Sequence, residues 1–212
     1  MFDLYQAVGL FFLYAFLGWC VEVAFVAVTC GRVVNRGFLN GPVCPIYGFG
    51  MLGVLYLLRP VEENLFLLFL GGMVLASALE LAGGWVLNRL FHTRWWDYSN
   101  EPFNLGGYIC LKFSLMWGLG TVMVVRLVHP ALYDLFLWIP RRLGVGLEIF
   151  LALIFLADLA ATVVTVMGLE RDMKELYELA GTLRRGSDML TQKVGGAAQA
   201  ADTRLDEGRL EW

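Results

Sequence analysis

Five long apolar runs alternate along this chain with short segments rich in glycine, proline, asparagine and aromatic residues. The runs cover about residues 4–28, 42–58, 65–90, 109–128 and 144–168. A helix needs about 20 apolar residues to cross ~30 Å of hydrocarbon, so the pattern predicts five membrane-spanning helices. The second run is at the short end and rich in glycine, which predicts a tilt or a break near Gly48 and Gly50. The segment PALYDLFLWIPRR between the last two runs is bracketed by prolines and too short to cross. It reads as an interfacial helix anchored by Tyr133 and Trp138.

Polar positions inside the runs are few, and the acids Glu22, Glu80 and Asp158 stand out among them. A carboxylate at a helix centre in hydrocarbon costs ~2.5 kcal/mol or more, so such residues face a partner or a pathway. Glu22 and Glu80 stand in similar surroundings, GWCVEVAF and SALELAGG, each followed by a glycine- and aromatic-rich loop. The loops converge on Gly41-Pro42-Val43-Cys44 and Gly107-Tyr108-Ile109-Cys110. Spans one and three run the same way, so a duplication would be a parallel pair of two-span hairpins. Shared membrane composition is the competing explanation of the match.

Composition agrees with the membrane reading. Apolar residues make up 58% of the chain and charged residues 17%, against nearly half and about a quarter in soluble domains. Residues 170–212 hold 16 of the 35 charged side chains. The chain therefore divides into a transmembrane domain, 1–169, and a polar tail, 170–212. In the tail Met173, Leu176, Leu179 or Ala180, and Leu183 recur at helical spacing. Gly186 and the GGAAQAAD stretch predict a break, with disorder favoured in the last twenty residues. A solvated extension of the fifth span and a docking helix for a partner are both open for this tail.

The N-terminus lacks a basic region and a small-residue cleavage site, so the first run reads as a retained span. Counting basic residues near span ends favours an outside N-terminus and a cytoplasmic C-terminus in the cell membrane. On that count Arg59, Arg126, Arg141 and Arg142 lie outside. Cys20, Cys30, Cys44 and Cys110 have no C-x-x-C spacing and read as small buried apolar residues. No basic block interleaved with aromatics suggests nucleic acid.

The two loops are poor simple connectors, because Phe38–Pro42 and Pro102–Gly107 mix turn formers with apolar residues. Such backbone dips into a membrane only where protein or water surrounds it; re-entrant loops and surface turns are both compatible. Arg94-Trp95-Trp96-Asp97-Tyr98-Ser99 suits a membrane interface and supplies both charges to a polar site. In these words, NRGFLNGPVCPIYGFG and RWWDYSNEPFNLGGYICLKFSLMWG, the chain resembles the bacterial integral-membrane family called Putative ABC-transporter type IV, or CmpB-like. The likeness covers about residues 10–130, with WWDYS and GPxxPIYG its most specific words. It implies a transporter permease, with no established substrate.

Gly18 precedes Glu22 by one turn, and Ala76, Ser77, Gly83 and Gly84 surround Glu80 at helical spacing. Small residues admit a neighbouring helix, so both acids are expected to point into the bundle. They serve there either as interhelical hydrogen-bonding groups or in a substrate, ion or proton role. Asp158 shares its helical face with Thr162 and Thr165. Lys112, early in the fourth span, either pairs with an acid or snorkels to the interface. His92 and His129 belong to no metal-ligand spacing, no nucleophile elbow is present, and no cofactor is expected. Without a G-x-x-x-x-G-K-[ST] loop, any ATPase must be another chain.

The expected architecture is an all-α polytopic membrane helix bundle of about five spans. The leading function is a permease or transporter subunit working as a homo-oligomer or with a separate ATPase. Glu22, Glu80 and Asp158 would line its polar interior, with Arg36, Asn40, Arg94, Asp97 and Asn104 at the loop mouths. A membrane enzyme on a lipid or lipid-linked substrate is the alternative, with Asp97 or Glu101 as base and Arg94 on a phosphate. A scaffold or sensor whose tail recruits a partner is the third.

Overall fold

The computed structural model describes residues 2–35, 37–167 and 174–210. The chain is an all-α membrane helix bundle. Its helices are α1 (Leu4–Cys30), α2 (Pro45–Leu57), α3 (Leu65–Phe91), α4 (Leu111–Met123), α5 (His129–Leu137), α6 (Arg141–Val166) and α7 (Lys174–Leu210). A short antiparallel pair, β1 (Asn104–Leu105) and β2 (Ile109–Cys110), pairs Asn104 with Cys110 and Leu105 with Ile109.

Among the described residues four helical rods are long and apolar enough to cross a membrane: Leu4–Cys30, Leu65–Phe91, Leu111–Leu137 and Arg141–Val166. Helix α2 has only 13 residues, or ~20 Å at 1.5 Å per residue, too short to span alone. Its glycines do not break it. A Cβ at Gly48 would fall 2.7 Å from the carbonyl oxygen of Phe11, so this glycine lets α1 and α2 approach closely. Pro45 opens α2, a first-turn position where its missing N–H costs nothing.

The segment between the last two runs is helical and continues the fourth run. Helix α4 passes through a five-residue π turn, Val124–Val128, directly into α5. Pro130 has no N–H for the carbonyl four residues back, and widening the helix to i→i+5 bonding accommodates that loss. In the tail, α7 runs without a break through Gly186, Gly195 and Gly196. The expected stripe at Met173, Leu176 and Leu179 falls outside the described residues and side chains.

Two compact units divide the chain. The first comprises Met1–Leu13 and Pro45–Ile149. In it α3 and α4 pack closely, with the Ser77 and Ser114 hydroxyls 2.7 Å apart and Gly72 facing Thr121. Asn64 caps α3 by accepting from the backbone N–H groups of Phe66 and Leu67. The N-terminal segment is tied in by an Asp3–Arg141 ion pair of 2.9 Å and by Gln6 donating to Tyr133 Oη.

The second unit comprises Tyr14–Cys44 and Phe150–Trp212. Its core holds Trp19, which is fully buried and donates its indole N–H to Asn35 Oδ1 at 2.7 Å. Helix α7 joins this unit: Gln199 donates to the Ala27 carbonyl, and Gly195 lies against Val33. The tail thus clusters with parts of the apolar region.

Candidate functional site

Residues 92–110 fold into a cap that begins where α3 ends. His92 ends the helix in a left-handed conformation. Asp97 Oδ1 accepts from the Ser99 backbone N–H at 3.0 Å and from the Ser99 hydroxyl, and Arg94 Nη1 lies 3.3 Å away. The Ser99 donors, with a smaller contribution from Arg94, hold the exposed Asp97 carboxyl below its ordinary value. Asn104 donates to the carbonyls of Ser99 and Glu101 and accepts from Gly107 N–H. Gly107, at φ 75°, sits in the middle: a Cβ there would fall within 2.5–2.7 Å of Ser99, Asp97 and Arg94 atoms.

Aromatic side chains connect this cap to the helices beneath it. Trp96 donates to the Tyr108 carbonyl at 2.9 Å, and the Arg94 guanidinium lies 4.9 Å from the Tyr108 ring centre. Tyr98 stacks on Phe113 with centroids 4.7 Å apart. Its hydroxyl donates to Glu80 Oε1 at 3.1 Å. Glu80 is only 8% exposed within α3, so a buried carboxylate of a spanning helix is linked to the cap by one phenol.

Residues 31–44 close differently. Asn35 donates to the Asn40 carbonyl. The backbone N–H groups of Asn40 and Gly41 reach opposite oxygens of Asp158 at 3.2 and 2.8 Å. Asn40 Nδ2 adds a bond to the same acid and another to Thr162, and the Thr162 hydroxyl donates to Asp158 at 3.4 Å. Asp158 is 3% exposed. Both of its oxygens are engaged, the usual condition for a buried charge.

The family described as Putative ABC-transporter type IV matches residues 9–163, which include both loops and Glu22, Glu80 and Asp158. The chain belongs to that family. No curated protein and no solved structure matches it.

In this type IV chain the expected site residues form two groups. Asn40 and Asp158 meet in the second unit. Arg94, Asp97 and Asn104 meet around Gly107 in the first, with Glu80 one phenol away. Glu22 is half-buried in α1, and Arg36 lies outside the described residues. Among the described residues Lys112 pairs with Glu101 at 3.0 Å on the surface, not with an intramembrane acid. Among the described residues no group of three His, Cys, Asp or Glu side chains is placed to hold a metal.

Sequence reasoning missed Glu148 and Tyr98. Glu148 Oε1 and Tyr5 Oη are buried without a hydrogen-bond partner among the described residues, and Gly9 leaves room beside that oxygen. The signal was present, since Glu148 interrupts an apolar run as Glu22 does. Tyr98 gave no such signal, because a tyrosine beside tryptophans reads as an interface anchor.

Proposed function

We propose that this chain is the membrane-embedded subunit of a transport assembly whose ATPase resides on a separate chain. The observation that carries the reading is Glu80, a carboxylate buried in a spanning helix and joined through Tyr98 to the 92–110 cap. Such a group can answer the state of the cap by gaining or losing one hydrogen bond. Glu22 and Glu80 would line the polar interior. Asp158 and Asn40 would hold one loop, Arg94, Asp97 and Asn104 would shape the other, and Arg36 would serve the 31–44 mouth. The N-terminus would lie outside and the C-terminus in the cytoplasm.

Catalysis by Asp97 or Glu101 has less support, because Ser99 and Arg94 engage the first and Lys112 the second. The test is purification of the tagged chain from its native membrane after crosslinking. A P-loop ATPase should co-purify, and its ATP hydrolysis in nanodiscs should fall about tenfold in Glu80→Gln with the complex intact. If no such ATPase accompanies the chain, the reading fails.

A further inference from the structure

The first unit also contains a cavity of about 610 Å³ that none of the roles above uses. It lies where α2 ends, α3 begins and the π turn interrupts the α4–α5 rod. Its volume is within the range of small-molecule sites, ~300–1,000 Å³. Phe2, Tyr56 and Tyr133 give it aromatic walls, and Arg59, Glu62 and Arg126 bring charge to it.

The walls are fixed by contacts from separate segments. Arg126 donates to the Glu62 carbonyl and pairs with Glu63 at 3.2 Å, tying the α2–α3 turn to the π turn. Tyr56 Oη donates to the Phe2 carbonyl at 3.1 Å. Phe2 lies edge-on to both Tyr56 and Tyr133, with centroids 5.7 and 5.5 Å apart. Gln6 then binds the Tyr133 hydroxyl at 2.8 Å. Walls built this way need little ordering when a ligand enters.

Two opposite charges line this frame, the exposed Arg59 and the half-buried Glu62, whose charge also acts on His129. Arg59 opens the 3-10 turn Arg59–Val61 and Glu62 ends it, with Glu62 N–H donating to the Arg59 carbonyl. Side chains three apart on a 3-10 turn eclipse one another, and both line the cavity. Among the described residues, neither side chain forms an ion pair or a hydrogen bond, with the other or with any third group. We propose that the cavity binds a zwitterion carrying a phosphate and a primary ammonium, the chemistry of phosphoethanolamine. Arg59 takes the phosphate by its planar fork, Glu62 takes the ammonium, and the aromatic faces of Phe2 and Tyr56 stabilise the cation. The apolar Leu57, Leu65 and Leu127 are 65%, 54% and 70% exposed beside this end of the helices. The same chemistry can therefore arrive on a phospholipid headgroup or as a free solute.

The test titrates the purified full chain in detergent, by native mass spectrometry, with O-phosphoethanolamine, phosphatidylethanolamine and phosphatidylglycerol. Binding of phosphatidylethanolamine alone identifies the lipid source; binding of O-phosphoethanolamine as well identifies a free solute. In either case Arg59→Ala and Glu62→Gln should each weaken binding about tenfold, and phosphatidylglycerol, which lacks the ammonium, should bind about tenfold more weakly than phosphatidylethanolamine. Arg59→Lys should retain part of the affinity, which separates lost charge from a misfolded turn. Equal binding of the two lipids, no zwitterion binding at all, or unchanged binding in both charge variants overturns the proposal. Co-purification of an ATPase is read independently, so this result and the transport reading can fail separately.

Discussion

The 31–44 and 92–110 loops end in similar words yet are held by different physics. The first depends on Asp158, which lies 117 residues beyond Gly41 in sequence. The second is knitted largely from Asp97, Ser99, Asn104 and Gly107 within the loop, with its outside bonds reaching only near neighbours in sequence: Glu80, 18 residues from Tyr98, Asn88, 20 from Tyr108, and Lys112, 11 from Glu101. A loop closed from within forms its contacts at small loop-closure cost, whereas one closed by a distant acid must await the later helix. Similar sequence words therefore need not mean similar means of closure.

The largest effect should come from Asp158→Ala. It strips a buried acceptor from Asn40 N–H, Asn40 Nδ2 and Gly41 N–H, at about 3 kcal/mol or more, because bonds to charged groups are each worth ~1.5–3. Hydrogen exchange should rise across residues 35–44 while residues 94–110 keep their protection; equal loosening of both would end the contrast. Gly107→Ala is the reciprocal test. A left-handed φ costs a side chain about 1–2 kcal/mol before any clash, so the 92–110 loop should become protease-sensitive with 31–44 unchanged.

Tyr98→Phe is milder. It removes the hydroxyl bond to Glu80 and keeps the ring stacked on Phe113, so about 1 kcal/mol should be lost, read as a lower midpoint of thermal unfolding. The smallest effect concerns acid. Asp97 has a folded pKa below its ordinary 3.8 because Ser99 donates to it. Its contribution is therefore complete above that ordinary value and fades as pH falls through the lower folded one. Exchange at the Ser99 amide should stay protected at pH 5 and rise only below about pH 4, with Asp97→Asn removing the pH step.

The spanning helices α1 and α3 were legible because apolar length alone determines them. The α4–α5 rod was not, since Pro130 reads as a break. At the start of α5 the missing N–H is tolerated once the preceding turn widens. Among site residues, Asn40 and Asp158 were each recognisable, one as a turn former beside Gly41-Pro42 and the other as an acid among apolar residues. Their union was not, because no local spacing connects positions 118 apart. Arg94 and Asp97, three apart, could be read as a pair directly. Arg59 and Arg126 looked like markers of topology, and only the folded chain brings them to one cavity.

The π turn at Val124–Val128 has a bearing on ancestry. One residue more than an α-helical turn requires is accommodated there, and each residue rotates a helix by ~100°. A descendant lacking that residue would turn all of α5 by the same angle, carrying Tyr133 and Phe136 off the face that meets Gln6 and Gly9. A single-position gap at this point in a relative would thus be a large change of shape written as a small change of length.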